Sequence, residues 1–298
     1  ALMKNKSALL SSLSLFVCFC LLTGLSRLIV RYIGNSVPLL LLAEVLSFAL
    51  PALLAYYAAE DRDVVKKHLA WKTPPKGGLR FAVFLGITVA MFALASNIAL
   101  GALSGQAGGD FSAAMLPLTQ SKFGTHGIYY VFAAAAALVE AIYLRGVLMP
   151  IEEQDVGTSA CILFAGITFA LLQGEPLRMP GAFAAGCAFA ETAYILGSVW
   201  PAVIAHLAGG LYLAFSMWMT DTYAPFGIWN YFPACNLLGL LFFLYLTVRT
   251  AQGMLIRDSV PHFEKSAGWY DLWLLMRRPG VLVFIVAFAA KIVLDTIG

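Results

Sequence analysis

An all-α, polytopic membrane helix bundle is the fold class this sequence predicts, and three observations predict it. Of the 298 residues, 61% are hydrophobic and 12% charged, against roughly 45–50% and 25% in a soluble domain. The apolar residues fall into runs of about 20, the length a helix needs to cross a bilayer. Lysine and arginine gather in alternate segments between those runs, as they do in membrane proteins. The chain reads as a single integral membrane domain over 1–298, with no soluble domain, repeat or low-complexity tract. Its net charge of +3 matters less than where the charges lie.

Each element follows from the pattern. Met3-Lys-Asn-Lys reads as a native start, preceded by two added residues, Ala1 and Leu2. The first apolar run, 9–30, has no small-x-small cleavage site and is expected to be a retained span. Span 2 covers 37–59, carries Glu44 and should bend at Pro51. A Lys- and Arg-rich stretch leads to span 3 at 81–103, and a polar stretch with Gly108-Gly-Asp110 follows. Span 4, 128–148, is expected to stop at Pro150, before a short acidic turn. Span 5, 160–173, is short, span 6 covers 181–196, and a tight hinge at Gly197-Ser-Val-Trp-Pro201 precedes span 7 at 202–218. After a polar loop without Lys or Arg comes span 8, 231–248. The basic stretch 249–279 includes Ala267-Gly-Trp-Tyr-Asp-Leu-Trp, whose aromatic residues suit the membrane interface. Span 9, 281–297, carries Lys291 and Asp295, four apart and able to neutralise each other.

This layout implies a bacterial plasma-membrane protein with a cytoplasmic N terminus. Thirteen lysines and arginines then face the cytoplasm and four face the other side (Arg27, Arg31, Lys122 and Arg178). All five cysteines lie in apolar runs without CxxC spacing, so neither zinc nor redox chemistry is expected. No cofactor and no metal site is expected. The basic loops are topology signals first, with membrane lipid as a partner and nucleic acid excluded.

The chemistry centres on Ala137-Leu-Val-Glu-Ala-Ile-Tyr-Leu-Arg-Gly-Val-Leu148 in span 4. A carboxylate and a guanidinium within hydrocarbon cost roughly 2.5–3.5 kcal/mol each on insertion scales, so Glu140 and Arg145 call for a use or a partner. Five residues apart, they stand about 140° apart around an α-helix. Arg145 should therefore pair with another span, with Glu152 or with backbone carbonyls, or else snorkel. Tyr143, three residues on from Glu140, could hydrogen-bond it. Gln173 closes span 5, Glu191 lies in span 6, and His206 lies early in span 7. Glu44 and Glu191 read mainly as inter-helix contacts.

Glu140-Ala-Ile-Tyr-Leu-Arg145-Gly, Phe169-Ala-Leu-Leu-Gln173 and Gly197-Ser-Val-Trp-Pro-Ala-Val-Ile-Ala-His206 together resemble the CPBP family, the CAAX proteases and bacteriocin-processing enzymes also called Abi. The resemblance covers roughly 128–213, a CPBP-like core. It implies an intramembrane peptidase in which a glutamate activates water with help from histidine, and His with Asn steadies the oxyanion. Glu140, Arg145, Phe169 and His206 match the family pattern. Ala141 stands where a second Glu is usual, Gln173 where His is usual, and Gly210 where Asn is usual.

The resemblance thus implies Glu140 and His206 as catalytic residues and Arg145 as a supporting one; Gln173, Glu191 and Tyr143 are binding candidates by their positions on the spans. The three departures favour a non-catalytic homologue that holds a partner membrane protein or a lipid. An active endopeptidase cutting a peptide substrate is the second reading. A proton-coupled transporter using Glu44, Glu140, Glu191 and His206 is the third.

Overall fold

The computed structural model describes residues 2–34, 36–103, 125–223, 231–257 and 269–297, and no strand occurs among them. The polar stretch around Gly108-Gly-Asp110, Lys122, the loop after span 7, Lys265 and the start of the aromatic segment at 267–268 lie outside the described residues.

Helix α1 is Leu2–Tyr32 and α2 is Val37–Ala58, the latter opened by Pro38 in its first turn and containing Pro51. The short α3, Arg62–Leu69, starts where the Asp61 carboxylate accepts from the Asp63 N–H at 2.9 Å, and ends in Lys66, Lys67 and His68. Both ends suit the helix dipole. Helix α4 is Gly78–Leu103 and α5 is Thr125–Ala141. A π-helical segment, Ile142–Leu148, continues α5 into α6, Met149–Glu152. Then come α7 Thr158–Leu172, a 3-10 turn Pro176–Arg178, α8 Met179–Ile195 and α9 Val199–Tyr223. The chain closes with α10 Phe232–Leu255, α11 Trp269–Met276 and α12 Pro279–Ile297.

Among the described residues, seven helices are long and apolar enough to cross a membrane: α1, α2, α4, the continuous 130–152 rod, α9, α10 and α12. At 15 and 17 residues, α7 and α8 extend only ~22 and ~25 Å at 1.5 Å per residue, short of a ~30 Å hydrocarbon core. The expected nine spans thus become seven long helices and two short ones. Pro150 does not stop span 4. The helical rod runs on through it to Glu152.

Helix α4 packs on α8, α9 and α10; α9 also packs on α5 and α8; α7 packs on α8; and α2 lies against α1, α5 and the π segment. Small residues allow the central contact. A Cβ added at Gly209 of α9 would stand 2.7 Å from the Gly86 carbonyl oxygen of α4, so the two backbones touch. The hinge before α9 does a second job. Ser198 Oγ donates to the Ala70 carbonyl at 2.9 Å and Trp200 Nε1 to the Leu69 carbonyl at 2.9 Å, satisfying the open end of α3.

Charges left among apolar helices find partners at the ends of the bundle. Glu152 is buried, accepts from Ser11 Oγ at 3.0 Å and pairs with Arg278, which also reaches Asp155 at 3.0 Å. Lys291 and Asp295 pair at 2.7 Å as their spacing predicts, and Arg27 joins Asp295. Helix α11 turns Trp269, Tyr270 and Trp273 outward.

Candidate active site

Between α2, α4, α5, α7, α8 and α9 lies a cavity of about 450 Å³. Its wall is mainly apolar, with Glu44, Asn97, Glu140, Gln173 and His206 among the polar residues that line it. Three residues that are far apart in sequence and belong to separate motifs, Glu140, Gln173 and His206, therefore meet at one space.

Glu140 ends α5 facing inward, 8% exposed, and its Oε2 has no hydrogen-bond partner. His206 Nε2 stands 3.7 Å from that oxygen, and His206 Nδ1 is also without a partner. This gap is too long for a direct hydrogen bond. Phe189 stacks on the imidazole with ring centroids 4.9 Å apart, and Phe169 meets it edge-on at 5.6 Å. The two rings hold the imidazole in one orientation.

Sequence reasoning placed Glu44 among inter-helix contacts. In the structure its carboxyl lines the cavity from α2 and shares a side-chain hydrogen bond with Glu140. Two carboxyl groups can bond this way only with a proton on one of them. The available signal was a lone acid inside a 22-residue apolar helix. Nothing in the sequence said which face of α2 would turn inward.

Arg145 does not snorkel. It is wholly buried, and Nε, Nη1 and Nη2 all lack hydrogen-bond partners. Glu152, an expected partner, is taken by Ser11 and Arg278. Arg145 instead lies over Phe169 and Phe189, its Cζ 4.7 and 5.4 Å from their centroids, so the rings that hold His206 also carry the guanidinium. The π segment alters the expected geometry as well. Its N–H groups bond five residues back, as Met149 does to Leu144, so positions five apart approach one another around the turn. Glu140 and Arg145 accordingly lie within electrostatic reach.

Tyr143 does not serve Glu140. Its hydroxyl points to α1 and pairs with Ser14 Oγ at 2.7 Å. Glu191 is exposed and absent from the cavity wall. It lies two residues past the inward-facing Phe189, about 200° around the helix.

Gln173 ends α7, where Gly174, at φ 71°, turns the chain and gives its carbonyl to Lys291 at 2.8 Å. The turn fixes Gln173 at the cavity. Gly210 lines the wall opposite α5, where an added Cβ would stand 3.2 Å from Ala133 Cβ. That space is already tight for a larger residue. Among the described residues, no group of three or more His, Cys, Asp or Glu is placed to hold a metal ion.

Residues 123–212, which contain Glu140, Gln173 and His206, match the family model for the Rce1-like type II CAAX prenyl endopeptidases. This stretch is similar to the CAAX prenyl endopeptidases. No curated protein and no solved structure matches the chain. The CAAX-protease segment runs from α5 into α9 and supplies most of the cavity wall. Glu44 and Asn97 enter from α2 and α4, outside that segment.

Proposed function

We propose that this CAAX-protease-like chain is an intramembrane endopeptidase that cuts a peptide held in the bilayer by its own apolar or lipid-modified end, with Glu140 as general base. The observation that carries this reading is the unpartnered Glu140 Oε2, 3.7 Å from His206 Nε2 at the wall of one apolar cavity. A water seated there would lose a proton to Glu140 as its oxygen attacks a peptide carbonyl. The Gln173 amide is a donor of the kind that stabilises a developing oxyanion, and so is a neutral imidazole protonated on Nε2. Gln173 thus keeps one of the two roles a histidine could fill there, donation, and loses the other, proton transfer. We place the N terminus in the cytoplasm of a bacterial plasma membrane, from the distribution of Lys and Arg.

The departures at Ala141, Gln173 and Gly210 favour a second reading, a homologue that holds a membrane peptide or lipid without cutting it. The exposed position of Glu191 argues against a transport path through the four acidic and imidazole groups.

The test uses the full chain in nanodiscs with an internally quenched peptide ending in a farnesylated cysteine and three further residues. Cleavage that falls at least about 100-fold in Glu140→Gln supports the peptidase. Binding without cleavage supports the holding role. Cleavage that persists in Glu140→Gln overturns the role given to Glu140.

A further inference from the structure

We infer that Glu44 and Glu140 form a carboxyl pair sharing one proton, and that Glu44 holds that proton for the leaving amine of the cleaved peptide. The inference rests on the peptidase reading above and adds a residue from α2, outside the stretch matched to the family.

The geometry begins with the cavity: Glu44 of α2 and Glu140 of α5 both line it, with their carboxyls within hydrogen-bonding reach of each other. Glu140 Oε2 is buried without a hydrogen-bond partner, 3.7 Å from His206 Nε2. The Glu140 carboxyl thus stands between an imidazole on one helix and a second carboxyl on another, and that neighbour can supply the proton of the pair. Two carboxyls this close do not both ionise, and the result is one acid and one base, the division of labour that peptide hydrolysis needs. The chain has no carboxyl at 141 and no imidazole at 173. A second proton-transfer group therefore has to come from outside the motif, and Glu44 is the one the fold delivers.

The steps balance. Water attacks the carbonyl carbon and gives a proton to the Glu140 carboxylate, while the carbonyl electrons move to oxygen. The C–N bond breaks as those electrons return and Glu44 gives its proton to the nitrogen. The products are a carboxylic acid and an amine. The proton on Glu140 then crosses the shared hydrogen bond to Glu44, and the pair is restored.

The charged and titratable groups around the pair come from several elements. Cys18 of α1 lies within electrostatic reach of both carboxyls, and Arg145 of the π segment within reach of Glu140. His206 faces Glu140 from α9, and Arg178 lines the same cavity while paired with Glu175 at 3.0 Å.

The experiment compares wild type, Glu44→Gln, Glu44→Asp and Glu140→Gln in nanodiscs, using the farnesylated quenched peptide and infrared difference spectra. The wild type should give a bell-shaped pH–rate profile, one limb for each member of the pair. Glu44→Gln should lower kcat about 100-fold or more and remove one limb, and Glu44→Asp should keep both limbs at reduced rate. The carbonyl-stretch band of a protonated carboxyl should disappear in both Gln variants.

A Glu44→Gln variant within threefold of wild type, both limbs intact, overturns the acid role and leaves the Glu140 peptidase standing. A protonated-carboxyl band unchanged in Glu44→Gln overturns the pair, whatever the activity. A wild type that shows the band but cleaves nothing overturns both the hydrolytic use of the pair and the peptidase reading.

Discussion

Arg145 is the charge in this fold with the least compensation, and a double-mutant cycle with position 141 can measure what that costs. All three guanidinium nitrogens are buried without a hydrogen bond; the faces of Phe169 and Phe189 oppose them, and Glu140 lies within electrostatic reach but makes no hydrogen bond to them. Desolvated cation–π contacts return about 2 kcal/mol, while buried donors left unpaired cost roughly 1–3 kcal/mol each time. Ala141 lies one turn earlier and is itself fully buried. A carboxylate placed there by Ala141→Glu sits where it can reach Arg145. Breaking a buried ion pair by removing one partner costs about 3–5 kcal/mol, so the coupling between Glu at 141 and Arg at 145 should be on the order of 3 kcal/mol. Ala141 packs against Val199 and Val203, and the extra volume will carry a penalty of roughly 1–3 kcal/mol. That penalty is common to the Arg145 and Arg145→Met backgrounds and cancels in the cycle. The assay is reversible unfolding in mixed micelles, followed by tryptophan fluorescence, for wild type, Ala141→Glu, Arg145→Met and the double variant. Arg145→Met alone should be neutral or stabilising, because an apolar residue replaces an unpaired charge. A coupling below about 0.5 kcal/mol would refute the reasoning, since it would mean that the guanidinium does not lack a partner.

Two further outcomes follow from the same bonds. Arg278→Ala should destabilise the bundle by about 3–5 kcal/mol, because it strands the buried Glu152 carboxylate; thermal unfolding in detergent reads this, and adding Glu152→Met should recover much of the loss. Tyr143→Phe should cost about 1 kcal/mol of stability through its bond to Ser14 and leave peptide turnover unchanged; a 100-fold loss of turnover would instead mean that Tyr143 acts on Glu140.

Much of the fold was legible because hydropathy is a local property. Runs such as 37–58 and 78–101 are apolar over most of their length, and that length marks them as spans. The Glu140 and His206 motifs were legible because the spacing of a few residues survives in the chain. The role of Glu44 was not. An apolar helix with no polar face carries little information about which side turns inward, and Glu44 meets a residue 96 positions later in sequence. Glu191 failed for the same reason, on the opposite side of its helix.

The sequence by itself determined that this is a helical membrane protein, where most of its spans run, and which acid and imidazole fall in the stretch similar to CAAX proteases. Only the tertiary structure decided that Glu140 would meet His206 and Glu44, that Arg145 would lie unpaired between two phenyl rings, and that Tyr143 and Glu191 would face elsewhere. The physical reason is helix rotation. Apolar composition drives each segment into the bilayer, but small-residue contacts such as Gly86 with Gly209, together with the wide π turn after Ala141, set the angle at which each polar group arrives.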